Sequence, residues 1–184
     1  GVCTACAAGQ YQPDAGQFSC LLCQSGSTTD TLGQAGAVRC TACAAGKYST
    51  ASNVSACTNC PAGSTTGTGA QPGARNCTPC AAGKYSTVSN VAACIDCDAG
   101  KYQASPGGAS VSECIDCASG TYQGTEGTTA CIACGAGTFS PAAAESCTDC
   151  QAGDQDDDSD PATACVSCAA GTYAAPGSYT DGST

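Results

Sequence analysis

Twenty cysteines hold most of the chemistry open to this chain of 184 residues, and all of them fall into C-x-x-C pairs. The pairs begin at Cys3, Cys20, Cys40, Cys57, Cys77, Cys94, Cys114, Cys131, Cys147 and Cys165. Cysteines spaced this way can do three things. Two successive pairs, with a gap of 12 to 16 residues between them, approach the spacing of a four-cysteine zinc site. One C-x-x-C can act as a redox dithiol where a βαβ setting activates a thiol. Oxidised in twos, the cysteines can staple the chain. Zinc would require five separate metals in a chain with no histidine. Redox chemistry needs one reactive pair in a particular setting, not ten in series without it. Disulfides are therefore expected.

Bonding within each C-x-x-C would leave the long intervening segments unclosed, whereas joining the second cysteine of one pair to the first of the next closes every loop. That scheme predicts Cys6 with Cys20, Cys23 with Cys40, Cys43 with Cys57, Cys60 with Cys77, Cys80 with Cys94, Cys97 with Cys114, Cys117 with Cys131, Cys134 with Cys147 and Cys150 with Cys165. Each loop of about 15 residues would gain roughly 3 kcal/mol by closure. Cys3 and Cys168 remain over, and the scheme expects each to pair into a further repeat outside this sequence.

The other candidate chemistries are few. Asp154, Asp156 and Asp158 alternate within an acidic run from Asp154 to Asp160, and three such carboxylates invite calcium, which takes six to eight oxygens. Calcium is the one cofactor the sequence suggests. The run departs from a helix–loop–helix calcium loop, with Ser159 where Gly is required and Cys165 where the bidentate Glu should stand. Asn53-Val54-Ser55 and Asn76-Cys77-Thr78 are N-glycosylation acceptors by sequence, and the runs Ser27 to Thr31 and Ser64 to Thr68 could carry O-linked sugar. Without histidine, and with the cysteines bonded, neither a Ser/His/Asp nor a Cys/His constellation can be assembled; no enzyme activity is expected. The net charge of −10 is concentrated in residues 94–184, which hold thirteen acids and one base. This lack of a basic patch argues against nucleic-acid binding. No apolar run approaches the roughly 18 residues of a membrane span.

The element that must position these groups is a repeat. Cys40-Thr41-Ala42-Cys43-Ala44-Ala45-Gly46-Lys47-Tyr48-Ser49-Thr50 returns as Cys77-Thr78-Pro79-Cys80-Ala81-Ala82-Gly83-Lys84-Tyr85-Ser86-Thr87. The pair starts are separated by 17, 20, 17, 20, 17, 20, 17, 16 and 18 residues, a short-plus-long double unit of 37. A fixed period of this size marks a linear array. Every unit has a Gly two positions before an aromatic slot, from Gly9 to Gly171, which suggests positive φ or close approach to a sulfur. The slot holds Tyr11, Tyr48, Tyr85, Tyr102, Tyr122, Phe139 and Tyr173; such a ring is expected to cover a disulfide and keep its hydroxyl in water. Leu, Ile, Val and Phe together number 15 and Trp and Met are absent, so apolar burial cannot supply the fold by itself. The predicted class is small and disulfide-rich: an elongated tandem array of cysteine-rich modules with short β-hairpins and almost no helix. Five repeat pairs are expected, over 1–39, 40–76, 77–113, a shortened one at 114–146, and an incomplete acidic one at 147–184.

The run Cys43-Ala44-Ala45-Gly46-Lys47-Tyr48 followed by Cys57-x-x-Cys60 resembles the cysteine-rich module of ephrin-receptor-like repeats and the first half-module of tumour-necrosis-factor-receptor repeats. The resemblance implies bonding of the cysteine before Gly-x-Tyr to the first cysteine of the following pair, in agreement with loop closure. Half-modules with crossed disulfides are absent, and the Pro usual after the second cysteine appears only at Pro61. Modules of this kind occur in receptors, in surface proteins of protists and algae, and in flagellar hairs. The expected role is a disulfide-stapled, glycosylated rod outside the cell, a structural subunit of a filament, flagellar-hair-like appendage or surface coat. Its expected partners are itself or related repeat proteins, together with covalent glycans. The alternative is the ligand-binding stalk of a receptor-like ectodomain.

Overall fold

The computed structural model describes residues 2–52, 54–68 and 71–178. Its regular structure is nine antiparallel hairpins, each a separate two-stranded sheet. In chain order they are β1 (Gln10–Tyr11) with β2 (Leu21–Leu22), β3 (Ser27–Thr29) with β4 (Cys40–Ala42), β5 (Lys47–Tyr48) with β6 (Thr58–Asn59), β7 (Ser64–Thr66) with β8 (Cys77–Pro79) and β9 (Lys84–Tyr85) with β10 (Ile95–Asp96). There follow β11 (Lys101–Tyr102) with β12 (Ile115–Asp116), β13 (Thr121–Tyr122) with β14 (Ile132–Ala133), β15 (Thr138–Phe139) with β16 (Thr148–Asp149) and β17 (Asp154–Gln155) with β18 (Val166–Ser167). The one helical element among the described residues is a 3-10 turn at Val111–Glu113.

An isolated hairpin of two-residue strands is not stable in water, so each is clamped. Nine disulfides form, and they are the nine expected from loop closure, Cys6–Cys20 through Cys150–Cys165. Cys3 and Cys168 are unbonded. Each clamp holds the two arms of one hairpin: Cys43 precedes β5 and Cys57 precedes β6. A tight turn separates Cys43 from β5, with Lys47 N–H donating to the Ala44 carbonyl and Gly46 at φ +80°. Positive φ at the third position of such a turn selects glycine. The Gly46 carbonyl then accepts from the Cys60 N–H at 2.9 Å, tying the start of the next module to this one. The same link recurs from Cys23 N–H on Gly9 to Cys168 N–H on Gly153.

The chain packs as two compact units, Gly1–Cys80 with Ser86–Cys94 and Gly107–Ser110, and Ala81–Tyr85 with Ile95–Pro106 and Val111–Thr184. Within the first, the loop after Ser86 folds back on the preceding module, where Asn90 N–H donates to the Cys60 carbonyl at 2.9 Å. Within the second, Gly127 N–H donates to Cys97 and Ala143 N–H to Cys117 in the same way. The repeat glycine has a further neighbour. A Cβ on Gly46 would lie 2.5 Å from the Asn90 carbonyl carbon, and one on Gly83 would lie 2.0 Å from the Gly127 carbonyl oxygen. Both clashes are with the module two places further along. The close approach is thus to backbone, and the sequence-based expectation of contact with a sulfur is corrected; positive φ is found as expected.

No Leu, Ile, Val or Phe is fully buried among the described residues. The interior is instead the second cysteine of each of the first nine pairs, with Cys23, Cys60, Cys97 and Cys117 at 0% exposure, together with small polar residues such as Thr29, Ser86 and Ser140. Sulfur and short hydroxyl side chains fill the narrow space between hairpins, and branched aliphatics stay at the surface.

Candidate functional site

The side chains that face outward are set by the pairing of each hairpin. The aromatic slot lies directly across from the residue after the next cysteine: Tyr85 opposite Ile95, Tyr102 opposite Ile115 and Tyr122 opposite Ile132. The first two long units have Thr28 opposite Thr41 and Thr65 opposite Thr78. Aromatic–β-branched and Thr–Thr pairs of this kind each contribute about 0.2–1 kcal/mol. Beside them Lys84 forms an ion pair with Asp96 and Lys101 with Asp116, each across its own hairpin. Ile95, Ile115 and Ile132 keep half their surface in water, between 50% and 53%. The rings from Tyr11 to Phe139 are partly buried, and Tyr102 and Cys131 line one groove, whereas Tyr173 is 92% exposed. Sequence reasoning singled out the aromatic slot and overlooked its partner. The signal was there: this position holds only Leu, Ile, Val or Thr, from Leu21 to Val166.

Also overlooked was the residue three places after each repeat glycine, which joins the modules. Its carbonyl accepts from the repeat glycine of the module before, as in Gly63 N–H to Ser86 at 2.8 Å and Gly100 N–H to Gln123 at 2.7 Å. Its own N–H donates to the loop of the module after, as in Ser86 to Gly108 and Gln123 to Ala144. The side chain is buried at Ser49, Ser86, Gln103, Gln123 and Ser140. Buried polar groups are usually bonded: Ser86 Oγ donates to Val88, Gln123 Nε2 to Ala130 and Ser140 Oγ to Thr121, while Gln103 Oε1 is buried without a partner. The signal would have been an uninterrupted series of polar residues at this position from Gln12 to Asp156.

The acidic run occupies this framework. Asp154 sits in β17 and accepts from the Ser167 hydroxyl at 2.8 Å. Asp156 takes the buried connecting position, 7% exposed, with the Gly137 N–H directed at its carboxylate. Asp158 is exposed and accepts from the Asp160 N–H at 2.9 Å and the Thr163 hydroxyl at 3.1 Å. Strand pairing thus turns Asp154 to Ser167, while Asp158 has the Asp156 side chain beside it as well as its own turn. Among the described residues no group of three or more Cys, Asp or Glu side chains is arranged to hold a metal ion. The Asp160 N–H holds the Asp158 carboxyl below its ordinary value of 3.8; burial opposes it, and hydrogen bonds from the Thr163 hydroxyl and with the Asp156 side chain act in the same direction as the amide. A depressed carboxyl contributes stability above its unfolded value and loses it as pH falls through the folded one. The Asp160 amide resonance should therefore titrate with a midpoint below 3.8, while the hairpins stay formed. A midpoint above that value would show that the turn does not hold the carboxylate.

Asn53 lies outside the described residues. Asn76 is exposed, next to the bonded Cys77, with Thr78 in β8. The Ser/Thr runs are partly buried. Thr28, Thr29, Ser64 and Thr66 are buried in β3 and β7, and the Thr28 and Thr65 hydroxyls donate to carbonyls of the following module at Val54 and Val91. The Thr28 and Thr65 hydroxyls thus join modules, while Ser27, Thr31 and Thr68 of the same runs stay partly exposed.

No helix among the described residues is long and apolar enough to cross a membrane. The model of the tyrosine-protein kinase ephrin type A/B receptor-like family matches residues 1–34, 67–114 and 108–150, more than half of the chain. No curated protein matches it. The matched stretches contain the C-x-x-C, repeat glycine and aromatic slot whose geometry is described above, so the chain belongs to the ephrin-receptor-like family of cysteine-rich repeats.

Proposed function

We propose that the chain is a structural, glycosylated segment of an extracellular or cell-surface assembly, a subunit of a filament, flagellar-hair-like appendage or surface coat. Nine disulfides require an oxidising compartment, and the family is a receptor-type cysteine-rich module. The observation that supports assembly is the recurrence of one contact set. The repeat glycine, the polar residue three places on and the folded-back loop engage one another alike in the Cys43–Asn90 region and in the Cys97–Ala144 region. Equivalent faces at a regular interval let weak contacts add through avidity, and head-to-tail contacts that do not close build filaments. The exposed Asn76 is the position at which sugar would cover surface left open by assembly.

Light scattering and electron microscopy of the glycosylated protein, with Cys3 and Cys168 alkylated, test this reading. Mass should rise with concentration, and images should show a regular repeat. The second reading, a ligand-binding ectodomain stalk, is supported by the family's receptor membership. A strictly monomeric chain that binds a soluble ligand one to one would establish that reading instead.

A further inference from the structure

The bridges fix where the chain can lengthen. Each joins the second cysteine of one pair to the first of the next, so a pull passes along the backbone from Cys20 to Cys23, through the bridge to Cys40, along to Cys43, through the bridge to Cys57, and so on to Cys165. The loop that each bridge closes, spanning 13 to 17 residues, carries none of the pull.

Between one bridge and the next, only the two residues inside a C-x-x-C remain under tension. Those residues belong to the second strand of each hairpin, from Leu21–Leu22 in β2 through Thr58–Asn59 in β6 to Val166–Ser167 in β18. A strand rises about 3.3 Å per residue, close to the limit of an extended chain, so these links start nearly taut. Pairing with the strand inside the loop holds them so, as Thr58 with Tyr48 and Ile95 with Tyr85. Bonding within each C-x-x-C would have done the reverse and placed the long segments between pairs in the line of pull. What is left to give way is the set of hydrogen bonds between modules, such as Gly63 N–H to Ser86 and Gly127 N–H to Cys97, and these reform when the pull ends.

We propose that the chain is a tether that carries tension at a length set covalently by its nine bridges and released by reduction. This rests on the structural reading above, but it concerns a single molecule and needs no assembly. Ten C-x-x-C links and nine bridges of 5.6 to 5.8 Å between Cα atoms limit the span from Cys3 to Cys168 to about 150 Å. Without bridges the same 165 residues reach about 560 Å. Release is by thiol–disulfide exchange with a small dithiol. Its thiolate attacks one sulfur, the S–S bond breaks, and the electron pair leaves with the other cysteine as a thiolate. The second thiol then resolves the mixed disulfide, so the two hydrogens of the dithiol end on the two cysteines and the reagent ends as a disulfide. Each cut adds the length of one loop less the bridge it replaces, about 40 to 50 Å.

Optical tweezers test this on the full oxidised chain, with handles attached through the free thiols of Cys3 and Cys168. The extension should level off at about 150 Å and reverse on relaxation. Dithiothreitol under constant tension should then give steps of about 40 to 50 Å, one for each bridge, up to about 560 Å. Cys97→Ser together with Cys114→Ser should raise the oxidised limit by about 50 Å, whether or not that hairpin still folds. An oxidised chain that extends well past the first limit, or a double variant whose limit is unchanged, would overturn the proposal. Failure to assemble in solution would overturn the filament reading alone.

Discussion

Reduction of the protein under otherwise native conditions is expected to abolish the fold as a whole, leaving no protected amide in any hairpin. The reason lies in what is buried. The interior consists of disulfide sulfur and small polar side chains, so cutting the bridges removes the packing material as well as the constraint. Each of the nine loops spans 13 to 17 residues, and closing such a loop is worth roughly 3 kcal/mol. No hydrophobic cluster remains to offset about 1–2 kcal/mol of backbone entropy per residue. Hydrogen exchange with and without reductant measures this directly, and persistence of hairpin protection in the reduced chain would show that the framework does not depend on its bridges. A milder form is removal of a single clamp. Replacing Cys97 and Cys114 together by Ser should release the β11–β12 hairpin and the Gly127 loop that leans on Cys97, while leaving the Cys6–Cys20 region protected.

The second large effect is expected at a single methyl group. Gly83→Ala forces Cβ into a position 2.0 Å from the Gly127 carbonyl oxygen, at φ +83°. Strain of the left-handed backbone costs about 1–2 kcal/mol, and overpacking against backbone that cannot rotate away adds about 1–3 kcal/mol. Gly153→Ala is the control: φ is +89°, but nothing lies within 4 Å of the added atom. It should cost only the conformational part. Chemical denaturation of the oxidised proteins, followed residue by residue, compares the two. Equal destabilisation would mean that contact with the module two places away carries no weight. A larger loss at Gly83, centred on Gly127 and Thr128, would show that the array is held together beyond nearest neighbours.

This second effect separates what was legible in the sequence from what was not. The disulfide pairing could be read because it depends on local quantities: the spacing of cysteines along one chain and the entropy of closing the loop between them. The requirement for glycine at Gly46 or Gly83 was legible for the same reason, since a repeated Gly at one place in a repeated motif implies a backbone demand. What the glycine approaches was not legible. Asn90 and Gly127 lie 44 residues beyond Gly46 and Gly83 respectively, and no spacing rule indicates which carbonyl comes to rest there. The buried fate of Thr29 and Thr66 was hidden likewise, because a Ser/Thr run in a coreless chain reads as solvated surface until the next module covers it. The acidic run shows the same division. Its composition suggested a shared cation, but strand pairing fixed Asp154, module packing buried Asp156, and a local turn claimed Asp158. Composition and period determined the clamps, the turns and the kind of interior. Which side chains meet across modules was decided only by tertiary packing, because those contacts depend on how one stapled loop seats against the next.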